Sequence, residues 1–266
     1  MVNELTSIKT EFHDLSRYKN ILKSLVINNL VGKYKNSMLG CIWHIAIPLV
    51  MIVVYYIVFT EIREHPMDQY WVFLASGIFP FNFMMLNLLG GSSCIVNSSS
   101  MIKKMYFPRE LIVLSQVIST LIVTLAGYVV IISIIFISGY PLDIICVLIA
   151  FAIIIMSSIF VLGYVLLLSS VVVYVRDIQY ALNSISIVFY FITPIYFMAS
   201  EVEGALKAVI WANPFTYFLE VIHKLIYYGD YPTYSEISMC VLITTISIVV
   251  GSLVFRKLKR GFVERL

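Results

Sequence analysis

Tyr55, Tyr56 and Phe59 close one long apolar run of this sequence, and Tyr190, Phe191, Tyr196 and Phe197 crowd another. On helices, Tyr55 and Phe59 share a face at i, i+4, and Tyr190 and Phe197 share one two turns apart. A flat ring with a polar handle lies against the apolar face of a sugar and still hydrogen-bonds a hydroxyl. Set along a path without buried charge, such rings let a long neutral chain slide, because no single site grips it. The same residues also suit an aromatic belt at a membrane–water boundary, and spacing alone does not choose between the two.

Other chemistry is missing. The stretch VGKYKNS (Val31 to Ser37) contains Gly-Lys, but Ile27 stands where a phosphate-binding loop needs its earlier glycine, and Tyr34 follows the lysine. The chain therefore lacks the usual ATP-hydrolysing loop. It carries no H-E-x-x-H or G-x-S-x-G signature. Its histidines, His13, His44, His65 and His223, are scattered. Cys41, Cys94, Cys146 and Cys240 form no C-x-x-C pair, so they read as small apolar residues in packed helices, not as a disulfide or metal framework. The expectation is a non-enzymatic chain without a metal or cofactor of its own.

The elements that position the rings follow from composition. The 266 residues are 61% hydrophobic and 12% charged, against roughly 25% charged in soluble domains. Mean hydropathy is +0.95. A helix needs ~20 apolar residues to cross the hydrocarbon core. Six segments qualify: 40–60, 71–89, 111–137, a stretch within 144–175, 181–199 and 237–255. Their runs are continuous rather than alternating, which selects helices over a closed barrel. The fold class expected is an all-α membrane protein of six transmembrane helices. Cationic side chains orient it. With the N-terminus inside, Lys9, Lys103, Lys104, Arg109, Arg176, Arg256 and their neighbours total fifteen on the cytoplasmic side, against Arg63, Lys207 and Lys224 outside. Both termini are expected to be cytoplasmic, with no cleaved leader, because the first 39 residues are polar and charged. The net charge of +3 is too modest to suggest nucleic acid.

Three segments are not simple spans. Within 17–31, Tyr18, Ile21, Leu22, Leu25, Val26 and Leu30 fall on one helical face, which predicts an amphipathic helix in the cytoplasmic interface. Residues 92–110 are rich in small residues, then basic, and stop at Pro108. Within the external stretch 200–236, residues 205–219 are apolar but broken at Ala212-Asn213-Pro214-Phe215. Such a break suits re-entrant half-helices between spans five and six, which are tolerated where they line protein or a water-filled cavity. The organisation read from sequence is a cytoplasmic region 1–39, a six-helix membrane domain 40–256 and a basic cytoplasmic tail 257–266. The spans are almost free of ionisable groups, which argues against an ion-coupled carrier. His44 sits at headgroup depth beside Trp43 and reads as interfacial.

Five motifs in order resemble those of type-2 ABC exporter permeases. YKNSMLGCIWHIAIPL (Tyr34 to Leu49) resembles the opening of their first span. MYFPREL (Met105 to Leu111) resembles the start of their third, VYVRDIQY (Val173 to Tyr180) the Arg-Asp loop before the fifth, TPIYF (Thr193 to Phe197) the step within the fifth, and ANPFTYFLE (Ala212 to Glu220) the Asn-Pro turn after it. Size and aromatic spans make polysaccharide exporters of the O-antigen type the nearest resemblance, with capsule and teichoic-acid exporters close; a small-molecule exporter of the same fold fits the same motifs.

The resemblance implies a homodimer in the bacterial inner membrane. It implies two separate ATPase subunits that bind ATP and Mg, and a lipid-linked glycan moved between the two permeases. It assigns the channel wall to Tyr55, Tyr56, Phe59, Tyr190, Phe191, Tyr196 and Phe197. Coupling to the ATPase falls to Lys103, Lys104, Arg109, Arg176 and Asp177, although Lys103 and Lys104 also suit anionic membrane lipid. An external gate falls to Trp211, Asn213 and Pro214. Asn28 and Asn29 stand where relatives often carry Arg-Asp, which puts an ion pair there in doubt.

Overall fold

The structure, a computed structural model, describes residues 18–32, 42–62, 67–104 and 107–266. Every element among the described residues is helical. The principal helices are α1 (Lys19–Gly32), α2 (Ile42–Ile62), α3 (Tyr70–Leu86), α4 (Glu110–Ile137), α5 (Ile144–Tyr174), α6 (Asp177–Ile192), α7 (Gly204–Ala212), α8 (Pro214–His223) and α9 (Tyr234–Leu258). Among the described residues, five stretches are long and apolar enough to cross a membrane: Ile42–Glu61, Tyr70–Gly91, Glu110–Ile137, Ile144–Tyr174 and Tyr234–Gly261. Their charged residues lie only near their ends.

Helix α3 is the axis of the fold, buried almost continuously from Val72 to Met85. Its end loosens into a π turn, Asn87–Gly91. There Asn87 Nδ2 donates to Thr120 Oγ1 at 2.9 Å, and Thr120 Oγ1 lies 3.1 Å from Asn87 Oδ1. A buried amide thus finds its partners on α4, as an apolar interior demands. Two short turns, Cys94–Asn97 and Ser99–Lys104, follow.

Helices α5 and α9 cross at a pair of glycines. A Cβ on Gly251 would fall 1.9 Å from the Gly163 carbonyl oxygen, and one on Gly163 would meet the Ser247 backbone at 2.4 Å. Ser247 Oγ donates to the Phe160 carbonyl across the same crossing at 2.8 Å. Small residues that let backbones touch are the usual glue of membrane helices, where lipid removes the hydrophobic drive between them.

Two expectations change in detail. The apolar face of α1 rests in part on the chain's own α4: Tyr18, Ile21, Leu22 and Leu25 are half-buried against the core, and Asn29 Nδ2 donates to Ser115 Oγ at 3.1 Å. The sequence also offers Lys33 and Lys35 as a basic anchor and Leu39-Gly40 as a turn into the first span, and these positions lie outside the described residues. Second, the helix expected over 181–199 starts earlier, at Asp177, and stops at Ile192. Pro194 disfavours helix at the residue before it, and Thr193 is extended at φ −88°, ψ 131°. Sixteen helical residues span about 24 Å, less than the ~30 Å hydrocarbon core.

Candidate functional site

Rings expected to line a channel pack together where α2, α3 and the chain after α6 meet. Tyr196, immediately beyond the Pro194 break, is 8% exposed. Its ring lies 4.7 Å from Tyr55 and stacks on Phe59 at 5.5 Å, nearly parallel. Backbone bonds fix it: Tyr196 Oη donates to the Tyr190 carbonyl, and Tyr70 Oη donates to the Tyr196 carbonyl, both at 2.7 Å. Tyr190 packs edge-on to Phe81 at 4.7 Å, and its hydroxyl lies 3.3 Å from Asn82 Oδ1. Four of the seven rings picked from sequence, Tyr55, Phe59, Tyr190 and Tyr196, therefore form one linked group. Tyr56 and Phe191, at 41% and 73% exposed, point elsewhere, and Phe197 is half-buried against the core.

The gate residues sit beside a second break. Asn213 is extended between α7 and α8, and Pro214 occupies the first position of α8, where its missing N–H costs nothing. Asn213 Oδ1 caps the helix by accepting from the Phe215 amide at 3.0 Å. Its Nδ2 donates to Thr193 Oγ1 at 2.8 Å, tying this break to the one in α6. Trp211 meets Tyr217 edge-on at 5.2 Å.

His223 fastens the same junction. The Pro194 carbonyl can only accept, so the 3.1 Å contact makes Nε2 the protonated nitrogen. Nδ1 is then an acceptor, 2.9 Å from the Ser76 hydroxyl on α3. Burial pushes the imidazole pKa down to about 3, so the ring is neutral. It stacks on Phe73 at 3.9 Å, and Gly77 leaves the room: a Cβ there would fall 2.6 Å from the ring.

At the opposite end of the bundle the basic residues gather. Arg109 Nη1 donates to the Lys259 carbonyl, and its guanidinium lies 5.7 Å from the Phe262 ring. Lys259 Nζ pairs with Glu110 at 2.6 Å. Tyr174 Oη donates to the Leu258 carbonyl at 2.9 Å. The C-terminal tail is thus pinned across the ends of α4 and α5. Lys103, Lys104, Arg176 and Asp177 are exposed. Among the described residues, no group of three or more His, Cys, Asp or Glu could hold a metal ion.

Residues 21–227 match the family model described as ABC-2 type transporter. The chain belongs to that family. This ABC-2 chain is also similar over nearly its whole length to named relatives. Two O-antigen export system permease proteins of Klebsiella pneumoniae are 28% and 26% identical over 258 residues, covering 97% of this chain and 99% of each relative. One of Myxococcus xanthus is 21% identical over 263 residues, 94% of this chain and 97% of that protein. An ABC-2 chain with several apolar helices is an integral membrane protein with a general role in transport.

Sequence reasoning passed over two residues of this ABC-2 chain. His223 was one of four scattered histidines, and its partners, Ser76 and Pro194, lie 147 and 29 residues away. Glu220 is half-buried on α8, and burial raises its carboxyl pKa to about 7, with the charge of Glu236 adding and a backbone hydrogen bond from Ala199 opposing. A carboxylate inside a mostly apolar segment was the available signal.

Proposed function

We propose that this chain is the transmembrane permease subunit of a transporter that exports a lipid-linked polysaccharide of the O-antigen type across the cytoplasmic membrane. Two copies form the path, and a pair of separate ATPase subunits drives it. The observation that carries the reading is the linked wall of Tyr55, Phe59, Tyr190 and Tyr196, set among spans with charge only near their ends. Neutral rings with hydroxyl handles suit a long hydroxylated chain better than an ion, which needs a charged or strongly polar stop. The near full-length similarity to three permeases named for O-antigen export supports the same substrate class.

On this reading α6 and the bent segment 193–198 together make the sixth crossing. Helices α7 and α8 dip into the membrane from outside and return, so both termini lie in the cytoplasm. The exposed Lys103, Lys104, Arg176 and Asp177 face the ATPase, while Arg109 acts through the pinned C-terminal tail. The test is a strain lacking the gene: surface glycan disappears, lipid-linked glycan accumulates inside, and the wild-type gene restores export. Unchanged surface glycan in the deletion strain refutes the reading.

A further inference from the structure

A cavity of about 300 Å³ opens beside the Asn213-Pro214 break, apart from the aromatic wall. That size is at the lower end for small-molecule sites, which run from about 300 to 1,000 Å³. It suits a single sugar ring better than a folded chain. Its walls come from separate elements: Trp211 from α7, Tyr217 and Glu220 from α8, Lys224 and Tyr228 from the turn after α8, and Glu236 from α9.

The lining has the two parts a pyranose requires. Trp211 and Tyr217 present rings set edge-on to each other, and an aromatic face takes the C–H side of a sugar. The polar groups are unevenly committed. Lys224 Nζ donates to both Glu236 oxygens, at 3.0 and 3.1 Å, and the Thr233 amide donates to the same carboxylate at 2.6 Å. The one cation of the lining is thus engaged by Glu236. Glu220 and Asp230 also line the pocket, and a carboxyl group accepts several hydrogen bonds from hydroxyls. Glu236 offsets the lysine, and the further carboxyl groups of Asp230 and Glu220 make the lining disfavour an anionic ligand.

We propose that this pocket binds one neutral pyranose unit of the exported glycan on the outer face of the membrane. The proposal rests on the exporter reading above. Ring stacking holds the unit on Trp211, and its hydroxyls donate to Glu220 and Asp230. A unit held there after it leaves the channel resists slipping back between strokes of the ATPase.

Photo-crosslinking in cells that carry the whole transporter tests it. Tyr217→p-benzoylphenylalanine places the probe in the pocket, Tyr55→p-benzoylphenylalanine places it on the aromatic wall, and the same change at Tyr234, 95% exposed, is the control. The permease is purified after irradiation and blotted for a glycan ladder. The expected result is a ladder from position 217 and little from 234. Adding Trp211→Ala, or the isosteric Glu220→Gln, weakens the 217 ladder severalfold at equal membrane level. A ladder from 55 with none from 217 overturns the pocket and leaves the exporter reading standing. A 217 ladder that persists in both added variants, or matches that of 234, also overturns the pocket. Ladders from neither 55 nor 217 overturn both readings.

Discussion

At the scale of single residues, His223 ties together separate parts of the fold. One neutral ring joins α3, through Ser76, to the break in α6, through Pro194. His223→Ala orphans the Pro194 carbonyl and opens a hole against Phe73. An unsatisfied buried group costs about 1–3 kcal/mol, so a clear fall in the thermal midpoint of the purified protein is expected. Gly77→Ala should act on the same junction, because its methyl meets the ring at 2.6 Å. An unchanged midpoint in both variants would show that the latch carries no stability.

The pH dependence has a definite sign. The ordinary imidazole value is 6.5 and the folded value about 3, so the unfolded chain binds the extra proton and His223 loses stability as pH falls below 6.5. Glu220 works the other way: its folded value of about 7 against 4.5 makes it lose stability as pH rises between those values. The difference between wild type and His223→Asn isolates the histidine. Between pH 7 and 5 the wild type should lose more stability than the variant, and parallel curves would contradict this.

At the scale of elements, the tightest constraint is the crossing of α5 and α9. Gly251→Val has no space, since even a Cβ overlaps the Gly163 carbonyl. Overpacking costs roughly 1–3 kcal/mol and more where backbone must move. The variant should reach the membrane poorly or melt lower in a fluorescence thermal-shift measurement, and a wild-type melt would refute the close approach. Five of the six expected spans were legible in the sequence because continuous apolar runs have one solution in lipid. The break at Asn213-Pro214 was legible because proline acts locally. The early end of α6 was foreshadowed by Pro194, yet apolar residues continue past it and hide the stop. Hydrophobicity does not report hydrogen bonding. The contact of α1 with α4 was not legible, since an apolar stripe suits lipid and protein equally. Tyr55, Phe59, Tyr190 and Tyr196 could be picked out as rings, but their grouping depends on the bends that follow Ile192. Nothing local separates them from the outward-facing Tyr56 and Phe191.

At the scale of the whole molecule, the chain is a helical ABC-2 protein with most of its described basic residues at one end and the broken helices α7 and α8, with Lys207 and Lys224, at the other. The proposed orientation predicts labelling. In a background with its native cysteines replaced, Glu203→Cys should react with an impermeant maleimide on intact cells, and Lys257→Cys only after lysis; the reverse pattern would invert the topology. Arg176→Ala with Asp177→Ala should lower the stimulation of the partner ATPase by substrate, and unchanged stimulation would remove that turn from coupling. The central claim is that a neutral aromatic wall carries a glycan. Its most direct test is the surface glycan of cells lacking the gene and complemented with wild type or with Tyr55→Ala and Phe59→Ala together, at matched membrane levels. Full restoration by wild type and a severalfold deficit in the double variant are expected; equal surface glycan from the two would contradict the claim.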